Sequence, residues 1–429
     1  MMLDSFFGLG EKKTNIRTEI VAGLTTFLTM AYIIFVNPAI LSQAGMDHGA
    51  LIAVTCIVSA IATIAVGLFA NAPISMAPGM GLNAFFTYSL VKSEGIPWQT
   101  ALAVVFLSGL FFLVLTLLGL RKKLVTAIPQ SLIAAIAVGI GLFITFIGLQ
   151  NLGIVVDSPA TLVQAASLNS TILIGLAGLL VMIFFEMKRF TGALLIGIAF
   201  STVVALLLGK TQLPESIIST NIDISKIAFK LDIMGALKLS LFPAIFTLMF
   251  IDMFDSVGTL MACAHPAGLV KPDGKIENID RLLTIDAAAT MAGAVLGTST
   301  TTAYIESASG IEQGGRTGLT SVVTGLLFLA AIPFVPLVGI VPAYATAPAL
   351  IMVGLFMMKE VRKIDFSHIV EALPAFIIIV MIALSYSIST GLAFGFIAHT
   401  LITIIDGRVK TIKPAMWLIT LLAIIFFCI

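Results

Sequence analysis

The stretch GTSTTTAYIESASGIEQGGRTG (297–318) decides how this chain is read. It interrupts a series of hydrophobic runs with Thr, Ser and Gly and sets a carboxylate, Glu306, in their midst. An unbroken lipid-facing helix is excluded here, because non-helical backbone at membrane depth is tolerated only inside protein or against a water-filled cavity. A second stretch of the same character, NAPISMAPGMGLNAFFTYSL (71–90), puts Pro73, Pro78, Gly79 and Gly81 into its first half. Paired interruptions in corresponding halves of a chain point to the binding site of a transporter.

Composition fixes the setting. Of 429 residues, 59% are hydrophobic and only 10% charged, and the mean hydropathy is +1.13. A soluble domain carries roughly 25% charged residues, so this is an integral membrane protein. A net charge of +1 without basic stripes argues against a nucleic-acid partner. The cysteines Cys56, Cys263 and Cys428 lie far apart in apolar or terminal segments and are expected to be small packing residues. The first twenty residues are charged and amphipathic and lack a signal-peptide apolar region, so the first hydrophobic segment is expected to be retained.

Apolar runs divide the chain into about fourteen spans, most near the ~20 residues that a helix needs to cross the hydrocarbon. Lys12, Lys13 and Arg17 fall on the same predicted face as Arg121, Lys122 and Lys123, Lys188 and Arg189, Lys271, Lys275 and Arg281, Lys359, Arg362 and Lys363, and Arg408, Lys410 and Lys413. This obeys the positive-inside rule and puts both termini in the cytoplasm, with the cytoplasmic (inner) membrane as the location. The short run 414–428 breaks the parity and is read as a tilted, re-entrant or interfacial tail near the cytoplasmic face.

The two halves resemble each other. FLTMAYIIFVNPAIL (27–41) lies over FTLMFIDMFDSVGTL (246–260), GIGLF (139–143) over VGLF (353–356), and TGALLIGIAF (191–200) over TGLAFGFIAH (390–399). Seven spans per repeat is an odd number, so the second copy is inverted, the plan of many secondary transporters. The same offset sets Asn83 opposite Glu306 across a pseudo-twofold axis. The fold class is therefore all-α and polytopic, with short, broken third and tenth spans.

Intramembrane acids are costly, about 2.5–3.5 kcal/mol near the bilayer centre on insertion scales, and are functional by default. Asp252, Asp255 and Glu306 are the candidates. Asp252 and Asp255 stand at i, i+3 on one helix face and reach one cavity.

FIDMFDSVGTLMACA (250–264), APGMGLNAFF (77–86) and TSTTTAYIESASGIEQGGRTGL (298–319) resemble the signature segments of the purine permeases in the nucleobase-cation symporter-2 superfamily, on the azaguanine-resistance branch. The resemblance implies two inverted seven-span repeats as in the uracil permease. Its core domain would take 18–120 and 236–339 and its gate domain 127–209 and 343–406, between a cytoplasmic N-terminus (1–17) and a C-terminal tail (407–429). It also implies proton-coupled uptake of adenine, guanine or hypoxanthine, with the proton gradient as driving force and no cofactor, and commonly a homodimer. Where xanthine and urate relatives carry Glu-Ser-Thr-Gly-Asp, this chain reads Asp255-Ser256-Val257-Gly258-Thr259, which argues against those two substrates.

A purine offers ring N–H donors and nitrogen or carbonyl acceptors on a flat apolar body. Its site needs a carboxylate, an amide and an aromatic slot. Glu306 is the expected acceptor, Asn83 the complementary amide, and Phe85, Phe86, Phe254 and Tyr304 the stacking wall. Thr302 either lines the site or satisfies broken backbone. Of Asp252 and Asp255, one binds the base and the other carries the proton, with Glu306 also a candidate for coupling. Each has a plainer alternative: Asn83 as a helix cap, a Phe as packing, His399 as an interhelical bond, His265 and Arg316 as interface anchors. Sulfate or bicarbonate carriage is disfavoured, since a site of three acids without an intramembrane base repels an anion. A channel needs a continuous polar pore. An enzyme needs a nucleophile–base pair or a metal set such as HExxH, which the sequence lacks.

Overall fold

The computed structural model describes residues 2–119, 128–214, 216–219, 223–270 and 276–428. Arg121, Lys122, Lys123, Lys271 and Lys275 of the charge pattern lie outside these. Among the described residues, nine helices are long and apolar enough to cross a membrane: Ile16–Ala44, His48–Ala70, Trp98–Leu117, Gln130–Leu152, Ser170–Met187, Leu239–Ala264, Gly318–Gly339, Ala343–Lys363 and Ile388–Ile405. These are the first, second, fourth, fifth, sixth, eighth, eleventh, twelfth and fourteenth spans. The shorter helices Ala193–Leu207 and Ile369–Ser385 are the seventh and thirteenth, and the more polar Ile279–Leu296 is the ninth.

The third and tenth spans are interrupted, as the Pro/Gly and Thr/Ser runs require. β1 (Met76–Pro78) opens the third, and β4 (Thr301–Ala303) opens the tenth. Between them in sequence, β2 (Val155–Ser158) and β3 (Leu162–Ala165) form a surface hairpin. β1 and β4 pair antiparallel, Ala77 opposite Thr302, and Gly79 N–H to Thr300 O (2.9 Å) and Tyr304 N–H to Ser75 O (3.0 Å) extend the ladder symmetrically. Each strand thus satisfies the other's backbone at a depth where water does not. A Cβ on Gly79 would sit 2.8 Å from the Thr302 side chain, so the strands approach this closely only with glycine there. Short helices follow, Met80–Ala84 continuing as a π-helix over Phe85–Ser93, and Ser307–Glu312.

Cross-chain bonds fix which connections share a face. Lys12 pairs with Glu277 (3.0 Å), Asp47 with Lys226 (2.8 Å), Gly318 N–H donates to Asn71 (2.8 Å), and Tyr386 bonds Gln150. Each joins connections separated by an even number of crossings, as one membrane face demands. The repeats meet through small residues: a Cβ on Gly141 of the fifth span would lie 2.9 Å from the carbonyl of Gly354 in the twelfth, so the GIGLF and VGLF segments pack directly on each other.

The first span breaks at Ala31–Tyr32, between helices Ile16–Met30 and Ile33–Leu41, ahead of Pro38. The tail Pro414–Cys428 is not laid along the surface: Thr420 bonds Thr400 (2.6 Å) and the Phe427 ring meets Phe394 (4.7 Å), so this helix returns antiparallel along the fourteenth span. At 1.5 Å per residue it extends about 22 Å, the same as the equally long seventh span Ala193–Leu207.

Candidate functional site

The break in the first span turns Tyr32 toward the break in the tenth, where its hydroxyl donates to Glu306 Oε1 at 2.6 Å. Glu306 precedes the helix Ser307–Glu312 and is half-buried at a polar cavity of about 480 Å³. Thr25, Thr29 and Tyr32 of the first span, Ser309 and Gln313 of the tenth, and Arg189 and Thr191 between the sixth and seventh line it. The exposed turn that carries Arg189 lines the cavity and belongs to the face shared by Lys12 and Glu277. A carboxylate offers about four acceptor positions, of which Tyr32 occupies one.

Asp252 and Asp255 share the helix Phe242–Ala264 but not their surroundings. Asp255 is exposed, on a face that it shares with Gly258, Met261 and His265. It accepts from the Thr302 hydroxyl (3.3 Å). Asp252 is 1% exposed and accepts from Thr290 (3.3 Å), while its Oδ1 has no partner. Thr302, 2% exposed, also bonds Ser256 at 2.9 Å. Tyr304 is buried and donates to Pro78 O across the strand pair (2.5 Å), which joins the two broken segments beside Glu306. Phe254 is nearly buried against Phe250.

Asn83 and Phe85 stand elsewhere than expected. Asn83 is wholly buried, donates to Asn37 Oδ1 (2.7 Å) and accepts from Ser299; Asn37 in turn donates to Thr55 (2.6 Å) and Thr298 (3.3 Å). The amide is the centre of a closed polar network rather than a group opposite Glu306. Strand register gives the reason: equating Ala77 with Thr302 puts Gly81, not Asn83, in the place corresponding to Glu306. Phe85 and Phe86 have no accessible surface and pack in the interior, so neither forms a wall of the open cavity.

Sequence reading missed Asp286. It lies in the ninth span, is fully buried, and neither carboxyl oxygen makes a hydrogen bond of ordinary geometry. Its nearby polar group is the Ser256 hydroxyl, and Asp252 and Asp255 are ionisable neighbours. It also missed Tyr32, whose signal is a lone phenol in an otherwise apolar run. Residues from the first, eighth, ninth and tenth spans therefore converge. They form an acid-rich centre in which Glu306 lines the cavity and Asp255 is exposed.

Comparison with known proteins agrees with this architecture. A family model described as a permease family matches residues 17–394. A permease of Methanocaldococcus jannaschii is 48% identical, over 99% of this chain and 97% of its own. The adenine permease AdeP of Escherichia coli is 41% identical over 99% and 95%, and the guanine/hypoxanthine permease PbuG of Bacillus subtilis 40% over 99% of both. Among solved structures, the transmembrane domain of the cyanobacterium bicarbonate transporter BicA superposes with a TM-score of 0.68 at 18% identity, covering 87% of this chain and 97% of its own. The murine anion transporter Slc26a9 superposes with a TM-score of 0.66 at 10% identity, covering 91% and 69%. At those identities the likeness is one of fold. The match over most of the sequence and the whole-length kinship with permeases identify this protein as a member of the permease family, a membrane transporter and not an enzyme.

Proposed function

We propose that the protein carries purine nucleobases into the cell together with protons. The observation that carries this reading is Glu306, a carboxylate at the break of a span, tethered by Tyr32 and turned to a polar cavity. Its free acceptor positions suit the ring N–H edge of a base. The cavity volume of about 480 Å³ lies within the ~300–1,000 Å³ usual for small-molecule sites. The relatives named for adenine and for guanine/hypoxanthine support a purine and leave the choice among purines open. The fold is shared with bicarbonate and anion transporters, yet an acid-lined centre repels an anion.

In this reading Glu306 binds the base, with Asp255 beside it, while Tyr304 and Thr302 hold the strand pair that shapes the site. Proton coupling falls to the carboxyls of the eighth span. An ionised acid without partners in a low dielectric is strongly disfavoured, so such groups take up a proton when exposed and release it when the exposed face changes. Proton and base binding then reinforce each other. The driving force is the proton gradient, with no cofactor, and the transporter works as a homodimer in the cytoplasmic membrane. The first to fourth and eighth to eleventh spans form a core domain that moves against a gate domain of the remaining spans. The open cavity faces the side that the positive-inside rule assigns to the cytoplasm.

Uptake of labelled adenine, guanine and hypoxanthine into a purine-transport-null host, with and without a proton uncoupler, tests the proposal. Uncoupler-sensitive accumulation of at least one base is expected. Failure to take up any of the three refutes it.

A further inference from the structure

Asp286 has no work in the reading above, and its surroundings give it one. It is a fully buried carboxyl with two unpartnered oxygens, seven residues into the ninth span. The elements packed on that span are the second, fourth and eighth spans and β4. From these, the ionisable groups are Asp252, Asp255 and Cys263 of the eighth and Cys56 and His48 of the second, with His48 at that helix's far end; the fourth span and β4 contribute none. No Lys or Arg on those elements compensates a negative charge at Asp286, so an ionised carboxylate is disfavoured there.

A path for a proton leads to it. Asp255, which is exposed, is 3.3 Å from Thr302 Oγ1; Thr302 Oγ1 is 2.9 Å from Ser256 Oγ; and the Ser256 hydroxyl lies beside Asp286 without a formed hydrogen bond, so its rotation has to close the last step. A hydroxyl donates and accepts at once and turns to suit, and either oxygen of the Ser256–Thr302 pair can be the donor. Three hops balance. The proton of Asp255 passes to Thr302 Oγ1, the proton of Thr302 passes to Ser256 Oγ, and the proton of Ser256 passes to Asp286. One O–H bond is lost at Asp255, one forms at Asp286, and both hydroxyls end as they began.

We propose that Asp286 is the proton store of the transport cycle, loaded from Asp255 through the hydroxyls of Thr302 and Ser256. The inference rests on the proton-symport reading. It adds that the storing group touches neither base nor cavity. It also makes β4 the link between base and proton. Thr302 is two residues from Tyr304 and four from Glu306, so a shift of this strand when a base binds makes or breaks the relay.

The test uses the full-length transporter in proteoliposomes, with two readouts: proton-driven accumulation of labelled hypoxanthine, and hypoxanthine exchange at equal pH. Asp286→Asn is expected to lower accumulation roughly 100-fold, within the range that positioned proton transfer contributes, and to flatten its pH profile, while exchange persists. Ser256→Ala is expected to cut accumulation with Asp286 intact, and Ser256→Thr, which keeps a hydroxyl, to restore it. Accumulation by Asp286→Asn with an unchanged pH profile overturns the proposal. If that variant does not fold, equal accumulation by the Ala and Thr variants at Ser256 overturns it. Wild-type protein that moves hypoxanthine without protons instead refutes the symport reading itself.

Discussion

Glu19 provides a prediction whose size follows from counting bonds. This carboxylate is wholly buried near the start of the first span and accepts from the backbone N–H groups of Arg316 (2.9 Å), Thr317 (3.3 Å) and Thr320 (3.2 Å) and from the Thr320 hydroxyl (2.6 Å). These groups open the eleventh span, whose first N–H donors have no partner within the helix and whose dipole favours a negative charge. The neighbouring donors are served separately, Gly318 by Asn71 and Leu319 by the Thr317 hydroxyl. Thr320 N–H has a second acceptor in Thr317 O. Glu19→Ala therefore strands the N–H groups of Arg316 and Thr317, and an unsatisfied buried polar group costs about 1–3 kcal/mol. The expected loss is about 2–6 kcal/mol, a large part of the ~5–15 kcal/mol that separates folded from unfolded protein. With the unfolding entropy usual for a chain of this length, that is a fall in Tm of about 2–7 °C. Thermal unfolding of the purified protein in detergent, followed by intrinsic fluorescence, reads it directly. Glu19→Gln, which removes the charge and turns an NH2 toward donors, is expected to fall between wild type and Glu19→Ala. A Tm for Glu19→Ala within about 1 °C of wild type would refute the reasoning.

Three other perturbations have defined outcomes. Glu306→Gln replaces an all-acceptor group by one that also donates, so purine affinity should drop by about 1.5–3 kcal/mol, or roughly 10- to 150-fold, with Tm unchanged; equilibrium binding that matches wild type removes Glu306 from the site. Gly354→Ala drives a Cβ into the carbonyl of Gly141, and overpacking of this kind costs about 1–3 kcal/mol; a variant as stable as wild type would mean that the fifth and twelfth spans do not pack as described. Asp232, outside the membrane, is held below the ordinary carboxylate range by the Gly235 N–H and then the Thr100 hydroxyl. A lowered acid stabilises above its unfolded value of about 3.9 and loses that contribution as pH falls through the lower, folded value. Protection of the 223–238 segment from proteolysis should therefore hold from about pH 7 to pH 5 and weaken only below about pH 4; loss of protection between about pH 7 and pH 5 contradicts this.

The fold was legible where the sequence breaks its own rules. Pro78 and Gly79 in one apolar run and Thr300 to Thr302 in another admit no lipid-facing helix, and β1 and β4 form there. Glu306 was legible for the same reason, as a charge inside such a break. Asp286 was not, because Asp280 and Arg281 just before it make it look like part of a charged span end. Seven residues of helix place it about 10 Å deeper than Ile279, where the same carboxyl has no solvent. The opposition of Asn83 and Glu306 failed through register. Apolar similarity between helices aligns repeats only to within a turn, whereas pairing of β1 with β4 sets the correspondence residue by residue. The tail was ambiguous on length alone; its course depends on Thr400 and Phe394, which no local pattern links to Thr420 and Phe427.

The central claim is that a purine and a proton share one cycle through Asp255 and Glu306. Proteoliposomes holding the purified protein, loaded with a pH-sensitive dye and given hypoxanthine, guanine or adenine outside without an imposed gradient, measure it most directly. Inward base movement should acidify the lumen, with Glu306→Gln lowering both signals together. Base uptake at full rate without acidification would contradict the account.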